Sequence, residues 1–150
     1  MSYLDQAARA ARAACLSLAL LAPAAGTAQA PDDPGLEWGP CPAFMPAGCE
    51  ITVLHGDPAQ PTADIFFKVP GGAVIPRHTH TSAERMVLVS GELQVTYDGH
   101  EAVVLTPRTY AYGPPELPHE AVCADGDPCI LFIAFEQPID AFAVEGTAQP

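Results

Sequence analysis

Positive charge is scarce in this chain. Its 150 residues hold six Lys and Arg against 18 Asp and Glu, a formal net charge of −12. Such a surplus of carboxylates repels phosphate backbones and anionic headgroups, so neither nucleic acid nor an acidic membrane is an expected partner. Helical periodicity is also missing: after residue 30 no segment repeats apolar residues at helical spacing over a useful length. No glycine-rich loop opens a helix, so the phosphate cradle of nucleotide-binding proteins is excluded; Gly71-Gly72 runs into a strand-like segment instead. Ser82 and Ser90 lack a G-x-S-x-G context, which argues against a serine nucleophile. Internal repeats and low-complexity linkers are absent, and a chain of this length suits one domain.

The first thirty residues read differently from the rest. Arg9 and Arg12 precede an apolar run from Ala13 to Ala25, and small residues follow to Ala28-Gln29-Ala30. A basic start, a short apolar stretch and an A-x-A site describe a cleavable secretory signal over residues 1–30, with a cut after Ala28 as the alternative to one after Ala30. The run is too short for a membrane span, so no membrane association is expected after cleavage. The expected location is the periplasm or the exterior. Loss of residues 1–30 leaves four basic and 17 acidic residues, a net charge of −13.

It also leaves four cysteines, Cys41, Cys49, Cys123 and Cys129. An even count in an exported chain suggests two disulfides. Local pairing, Cys41 with Cys49 and Cys123 with Cys129, is favoured because each pair flanks a turn-like stretch, Ala-Asp-Gly-Asp-Pro in the second case. The other two connectivities stay open. Neither pair has the C-x2–4-C spacing of a zinc site.

Pro and Gly are plentiful, 17 and 12 residues, and scattered, which favours short strands joined by turns. Residues 31–49 read as a loose Pro/Gly-rich arm whose Trp38 covers one end of the core. Strand signals then recur over 51–54, 64–69, 74–80, 85–89, 93–97, 102–105, 110–112, 119–123 and 130–135, with a shorter one at 141–144. Ser90-Gly91 and Asp98-Gly99 are hairpin turns. Many short strands without intervening helices point to an all-β sandwich or closed barrel over residues 50–145.

Chemistry concentrates between Gly72 and Gly91. Residues two apart on a strand share a face, so His78 and His80 present their imidazoles side by side. Glu84 opens the next strand after a brief turn and can aim a carboxylate at the same point. Two neutral imidazoles and a carboxylate suit a first-row divalent cation. His119 is the expected fourth ligand, because the stiff turn Gly113-Pro114-Pro115-Glu116-Leu117-Pro118 fixes its approach. His55 and His100 lie outside the pattern and read as structural and solvated. Arg77 and Arg85 point away from the ligands by alternation. Met86 and Leu88 share the parity of Glu84 and are expected to line a substrate pocket. Phe66 or Phe67, with Phe132 or Phe135, is expected to close it, Phe67 and Phe132 being the preferred pair. Arg108, Tyr97, Tyr110 and Tyr112 are further candidates for contact with an oxygenated substrate, although aromatic strand residues mostly pack.

The stretch resembles the first motif of the cupins: Gly, five residues, His-x-His, three residues, Glu, six residues, Gly. Gly72, His78, His80, Glu84 and Gly91 match it without a gap. The second cupin motif is matched at Pro114 and His119, but Arg108 and Glu116 stand where its two glycines belong. The resemblance spans about residues 50–136. It implies a double-stranded β-helix, or jelly-roll, barrel with one divalent metal ion (Fe, Mn, Zn, Ni or Cu) held by His78, His80, Glu84 and His119. It also implies a small-molecule ligand and pairing through edge strands as a homodimer. A metal-dependent dioxygenase or isomerase acting on a chelating substrate, with Glu84 as proton acceptor, is the expected function. A non-catalytic extracytoplasmic barrel that binds or senses a metal or small ligand is the alternative.

Overall fold

A computed structural model describes residues 27–146. The expected signal segment, residues 1–30, therefore lies almost wholly outside the described residues.

Among the described residues, eleven strands run β1 (Gly39–Pro40), β2 (Glu50–His55), β3 (Asp64–Val69), β4 (Val74–Thr79), β5 (Glu84–Ser90), β6 (Leu93–Tyr97), β7 (Val103–Leu105), β8 (Tyr110–Gly113), β9 (His119–Cys123), β10 (Cys129–Phe135) and β11 (Phe142–Ala143). They form two antiparallel sheets, ordered β1-β2-β3-β10-β5-β8 and β11-β4-β9-β6-β7. The chain is an all-β jelly roll, as its pattern of short alternating strands requires.

Alternation decides what lies between the sheets. Along β10, Cys129, Leu131, Ile133 and Phe135 are buried while the residues between them are half-exposed. Leu88 of β5, Leu93 of β6 and Val69 of β3 are among the most deeply buried side chains. The turn at Gly91 joins one sheet to the other with φ 79°, and a Cβ there would lie 2.8 Å from the Pro128 carbonyl oxygen. That turn accepts only glycine, which is the physical content of the last position of the first motif.

A bulge on β4 aims the site. Ile75 pairs with Ala121 and His78 with His119, so three steps on β4 match two on β9. Pro76, which has no N–H to give a ladder, falls in the irregular stretch. The extra residue brings both Ile75 and His78 to the inner face. Arg77 consequently faces outward, where its guanidinium pairs with Asp98 and donates to the Glu145 carbonyl oxygen at 2.7 Å. Arg85 pairs outward with Glu136.

The arm before β2 is better tied down than its composition suggests. Gly39 and Pro40 pair with Ile51 and Glu50, and Cys41 is bonded to Cys49 across a Cα separation of 5.5 Å. Trp38 packs under the Lys68 ammonium, 4.1 Å from the ring centroid. Cys123 is bonded to Cys129 with a Cα separation of 5.9 Å, closing the turn between β9 and β10. Both local pairings expected from the spacing are present, and bonded pairs of this kind favour an oxidising compartment.

Candidate metal centre

Three imidazoles converge inside the jelly roll. His78 comes from β4, His80 from the residue just beyond it, and His119 from the first position of β9. All are buried, and their ligand nitrogens lie within 4.8 Å of one another. The ring centroids of His78 and His119 are 4.3 Å apart, those of His78 and His80 4.8 Å. Glu84, the first residue of β5, is buried beside them. Its Oε1 lies 3.5 Å from His80 Nε2 and its Oε2 lies 3.7 Å from His119 Nε2.

The backbone fixes which nitrogen faces inward. His78 Nδ1 donates to the Pro76 carbonyl at 2.7 Å, His119 Nδ1 to the Leu117 carbonyl at 3.1 Å, and His80 Nδ1 to the Asp140 carbonyl. A carbonyl oxygen only accepts, so each ring carries its proton on Nδ1 and keeps a lone pair on Nε2. His80 Nε2 is buried without a hydrogen-bond partner. Lone pairs gathered away from water, with a carboxylate alongside, form a donor set that fits a divalent cation. Burial, reinforced by His119 and His80, pushes the His78 imidazole down to about 3. His119 is lowered by burial and held up in part by Glu84. Both rings are therefore neutral at physiological pH, the form a metal ligand needs.

Two connecting segments hold this geometry. Asp140 clamps the end of β4: its carbonyl receives His80, its Oδ1 accepts from the Thr81 N–H at 2.8 Å, and its Oδ2 accepts from the Thr81 hydroxyl. The Glu116 N–H donates to the His80 carbonyl at 2.7 Å, tying the turn before His119 to a second ligand. Glu116 has φ 59° and Arg108 has φ 76°. The two residues that replace the second motif's glycines thus keep the left-handed backbone those glycines usually serve. Asp140 carried no signal in the sequence, because a backbone carbonyl is available from any residue and only the fold selects one.

A cavity of about 440 Å³ opens from the imidazoles. Met86 and Phe67 line it, and so does Phe135, whose ring is 5.8 Å from that of His80. Leu88 and Phe132 do not, and both expectations are corrected. Leu88 has the inward parity but sits two residues deeper along β5, fully enclosed in the core. Phe132 has the opposite parity to Leu131 and Ile133, so it lies on the outer face of its sheet, edge-on to Phe66 at 6.4 Å. The arm supplies a wall the sequence did not suggest: Pro40, Pro42 and Met45 line the cavity, and the Phe44 ring lies 6.2 Å from that of His78. Among the described residues, no Lys or Arg lines the cavity.

Tyr97 ends β6 opposite His119 and lines the cavity. Burial raises its hydroxyl well above the usual phenol range, with the Glu84 carboxylate acting in the same direction. Of the other histidines, His55 and His100 are exposed, and His100 donates to the Asp98 carbonyl at 2.9 Å. Ser82 is buried but fully engaged, accepting from the Glu136 and Gln137 N–H groups and donating to the Ala83 carbonyl.

The model of the cupin domain family matches residues 65–135. No curated protein sequence matches the chain. Among solved structures, an RmlC-like cupin from Shewanella frigidimarina is similar at 25% identity and a TM-score of 0.58, over 70% of this chain and 86% of that one. A polyketide cyclase from Streptomyces resistomycificus is similar at 17% identity and a TM-score of 0.64, over 75% and 82%. A DMSP lyase from Ruegeria pomeroyi is similar at 18% identity and a TM-score of 0.62; the matched region covers 73% of this chain but only 61% of the lyase. At those identities the cyclase and the lyase speak for the fold. The family match runs from β3 to the end of β10 and so encloses all three converging imidazoles and Glu84. Together with the jelly roll and the unbroken first motif, it places this chain in the cupin superfamily.

Proposed function

We propose that the protein is an exported, metal-dependent enzyme of dioxygenase or isomerase type, acting on a small, mostly apolar molecule that chelates the metal through oxygen. The reading is carried by one observation: three imidazoles, each tethered through Nδ1 to a backbone carbonyl, turn their Nε2 atoms toward a common point beside Glu84 at the base of an apolar cavity. His78, His80, Glu84 and His119 would hold the cation. Such a cation, when bound, polarises a carbonyl or enol oxygen and offers open positions to a substrate.

The chain's own groups do the rest. Ile, Val, Leu, Met and Phe side chains exclude water and favour an apolar body. Glu84 is placed to take a proton from a substrate carbon or hydroxyl held next to it, or to stay in the ligand set while another group reacts. The two bonded cysteine pairs and the apolar N-terminal run support a periplasmic or secreted location.

The test is metal analysis of protein purified with its leader processed, then turnover of β-diketones and phenols after loading with Fe(II), Mn(II), Ni(II), Cu(II) or Zn(II). One metal per chain in the wild type, little in His78→Ala, and metal-dependent turnover are expected. Stoichiometric metal with no turnover of any chelating substrate would instead favour a binding or sensing barrel. Full occupancy in His78→Ala contradicts the ligand assignment.

A further inference from the structure

Tyr97 is the polar side chain of the cavity that this reading leaves without a task. Its ring lies 4.9 Å from that of His119, and its hydroxyl is buried with no hydrogen-bond partner. A buried hydroxyl left unsatisfied is costly, which points to a partner from outside the protein.

The surroundings show where that partner sits. Gly113 of β8 pairs with Glu84. A Cβ at 113 would lie 3.0 Å from Tyr97 Oη, 3.1 Å from Glu84 Oε2 and 3.5 Å from Met86 Cε. The phenol and the carboxylate therefore open on one gap, kept clear because residue 113 has no side chain. The φ of Gly113 lies outside the left-handed region, so the backbone does not demand glycine there; a side chain would instead crowd the two oxygens. Tyr97 and Val95 also border a smaller groove lined by Tyr110, Tyr112 and Leu117. The ring is thus a partition between two spaces, and only its hydroxyl distinguishes it from phenylalanine.

We propose that Tyr97 is a specificity-determining residue whose hydroxyl donates a hydrogen bond to an oxygen of the molecule held in the cavity, in the gap beside Glu84. This rests on the metal reading above and narrows it. The occupant is an otherwise apolar molecule with a chelating pair of oxygens, one of which faces Tyr97. A β-diketone enolate or an ortho-diphenol has that form. A small dicarboxylate does not, because its second charge would meet an apolar wall without Lys or Arg.

The test uses the full-length processed protein loaded with Co(II). Wild type and Tyr97→Phe are compared for metal content, then titrated with acetylacetone and, separately, with imidazole, which binds a metal through nitrogen and presents no oxygen. Both proteins should hold one metal. Acetylacetone should bind about tenfold more weakly to Tyr97→Phe, the loss of a hydrogen bond to a charged acceptor, while imidazole affinity stays within twofold. Gly113→Ala, which fills the gap while keeping the Tyr97 hydroxyl, should also weaken acetylacetone and serves if Tyr97→Phe folds poorly. Equal acetylacetone affinity in either variant, or equal weakening of both probes in Tyr97→Phe, overturns the proposal. A wild type that takes up no metal overturns the metal reading itself and this proposal with it.

Discussion

Arg108 and Glu116 carry φ values of 76° and 59° at exposed positions where the second cupin motif has glycine. For a residue with a Cβ, the left-handed region costs about 1–2 kcal/mol. Glycine removes that cost but returns about 0.5–1 kcal/mol through its freer unfolded chain. Arg108→Gly and Glu116→Gly should therefore each stabilise the protein by about 0.5–1 kcal/mol. The sites lie on either side of β8 and their backbone N–H groups bond to different partners, so their effects should add. The double variant should gain about 1–2 kcal/mol, or about 4–8 °C in Tm for a domain of this size. The hydrogen bonds at these positions are made by the backbone: Arg108 N–H to the Leu88 carbonyl at 2.8 Å and Glu116 N–H to the His80 carbonyl. Neither is removed by the substitution, so metal content should stay unchanged. Gly91→Ala is the control. Its Cβ would meet Pro128 O at 2.8 Å and Cys129 Cα at 2.9 Å, and it should destabilise strongly. Thermal and urea unfolding of the metal-free proteins measures all four. Glycine variants that melt at or below the wild type refute the idea that these two residues hold a strained backbone.

Glu84→Gln keeps the shape of the side chain and removes its charge; turnover should fall about a hundredfold or more, and a variant as active as wild type removes Glu84 from the chemistry. Metal-free protein should lose stability in acid. His78 stays unprotonated down to about 3 when folded but has an ordinary value of 6.5, so between those values the unfolded chain binds the extra proton and stability falls with falling pH. The slope is at most about 1.4 kcal/mol per pH unit from His78, with His119 adding in the same sense. A urea midpoint that is the same at pH 7 and pH 5 contradicts the buried, neutral assignment. Replacing both Cys41 and Cys49 by serine opens a short loop and should cost about 2–3 kcal/mol. Because that loop walls the cavity, acetylacetone binding should weaken as well, and an unchanged affinity would mean the arm is not part of the pocket.

Strand positions, the two cysteine pairings and the four candidate ligands could all be read along the chain. Each depends on short-range rules: period-two alternation, turn chemistry and a fixed motif spacing. The strands expected at 64–69, 93–97 and 119–123 stand where the pattern put them, the others differ by one residue at one or both ends, and β1 falls in the stretch read as a loose arm. The pocket was only half legible. Parity fixes the face a strand residue points to but not its depth, so Met86 and Leu88 looked alike, although one lines the cavity and the other is sealed in the core. Between Phe132 and Phe135 the preference falls on the residue of the outer face, since an unbroken run of seven apolar residues does not declare which side of the sheet is inside.

What only the tertiary structure decided is everything that joins distant parts of the chain at one point. The bulge at Pro76 sets which way His78 faces, the Asp140 carbonyl sets which nitrogen of His80 is free, and the folded arm supplies a wall. The gap shared by Tyr97, Glu84 and Gly113 draws on three strands of two sheets. Sequence determines the kinds of ligand and their local spacing, because those are properties of neighbouring residues. The shape of the space between them depends on how two sheets pack, and packing is set by contacts between residues far apart in the chain.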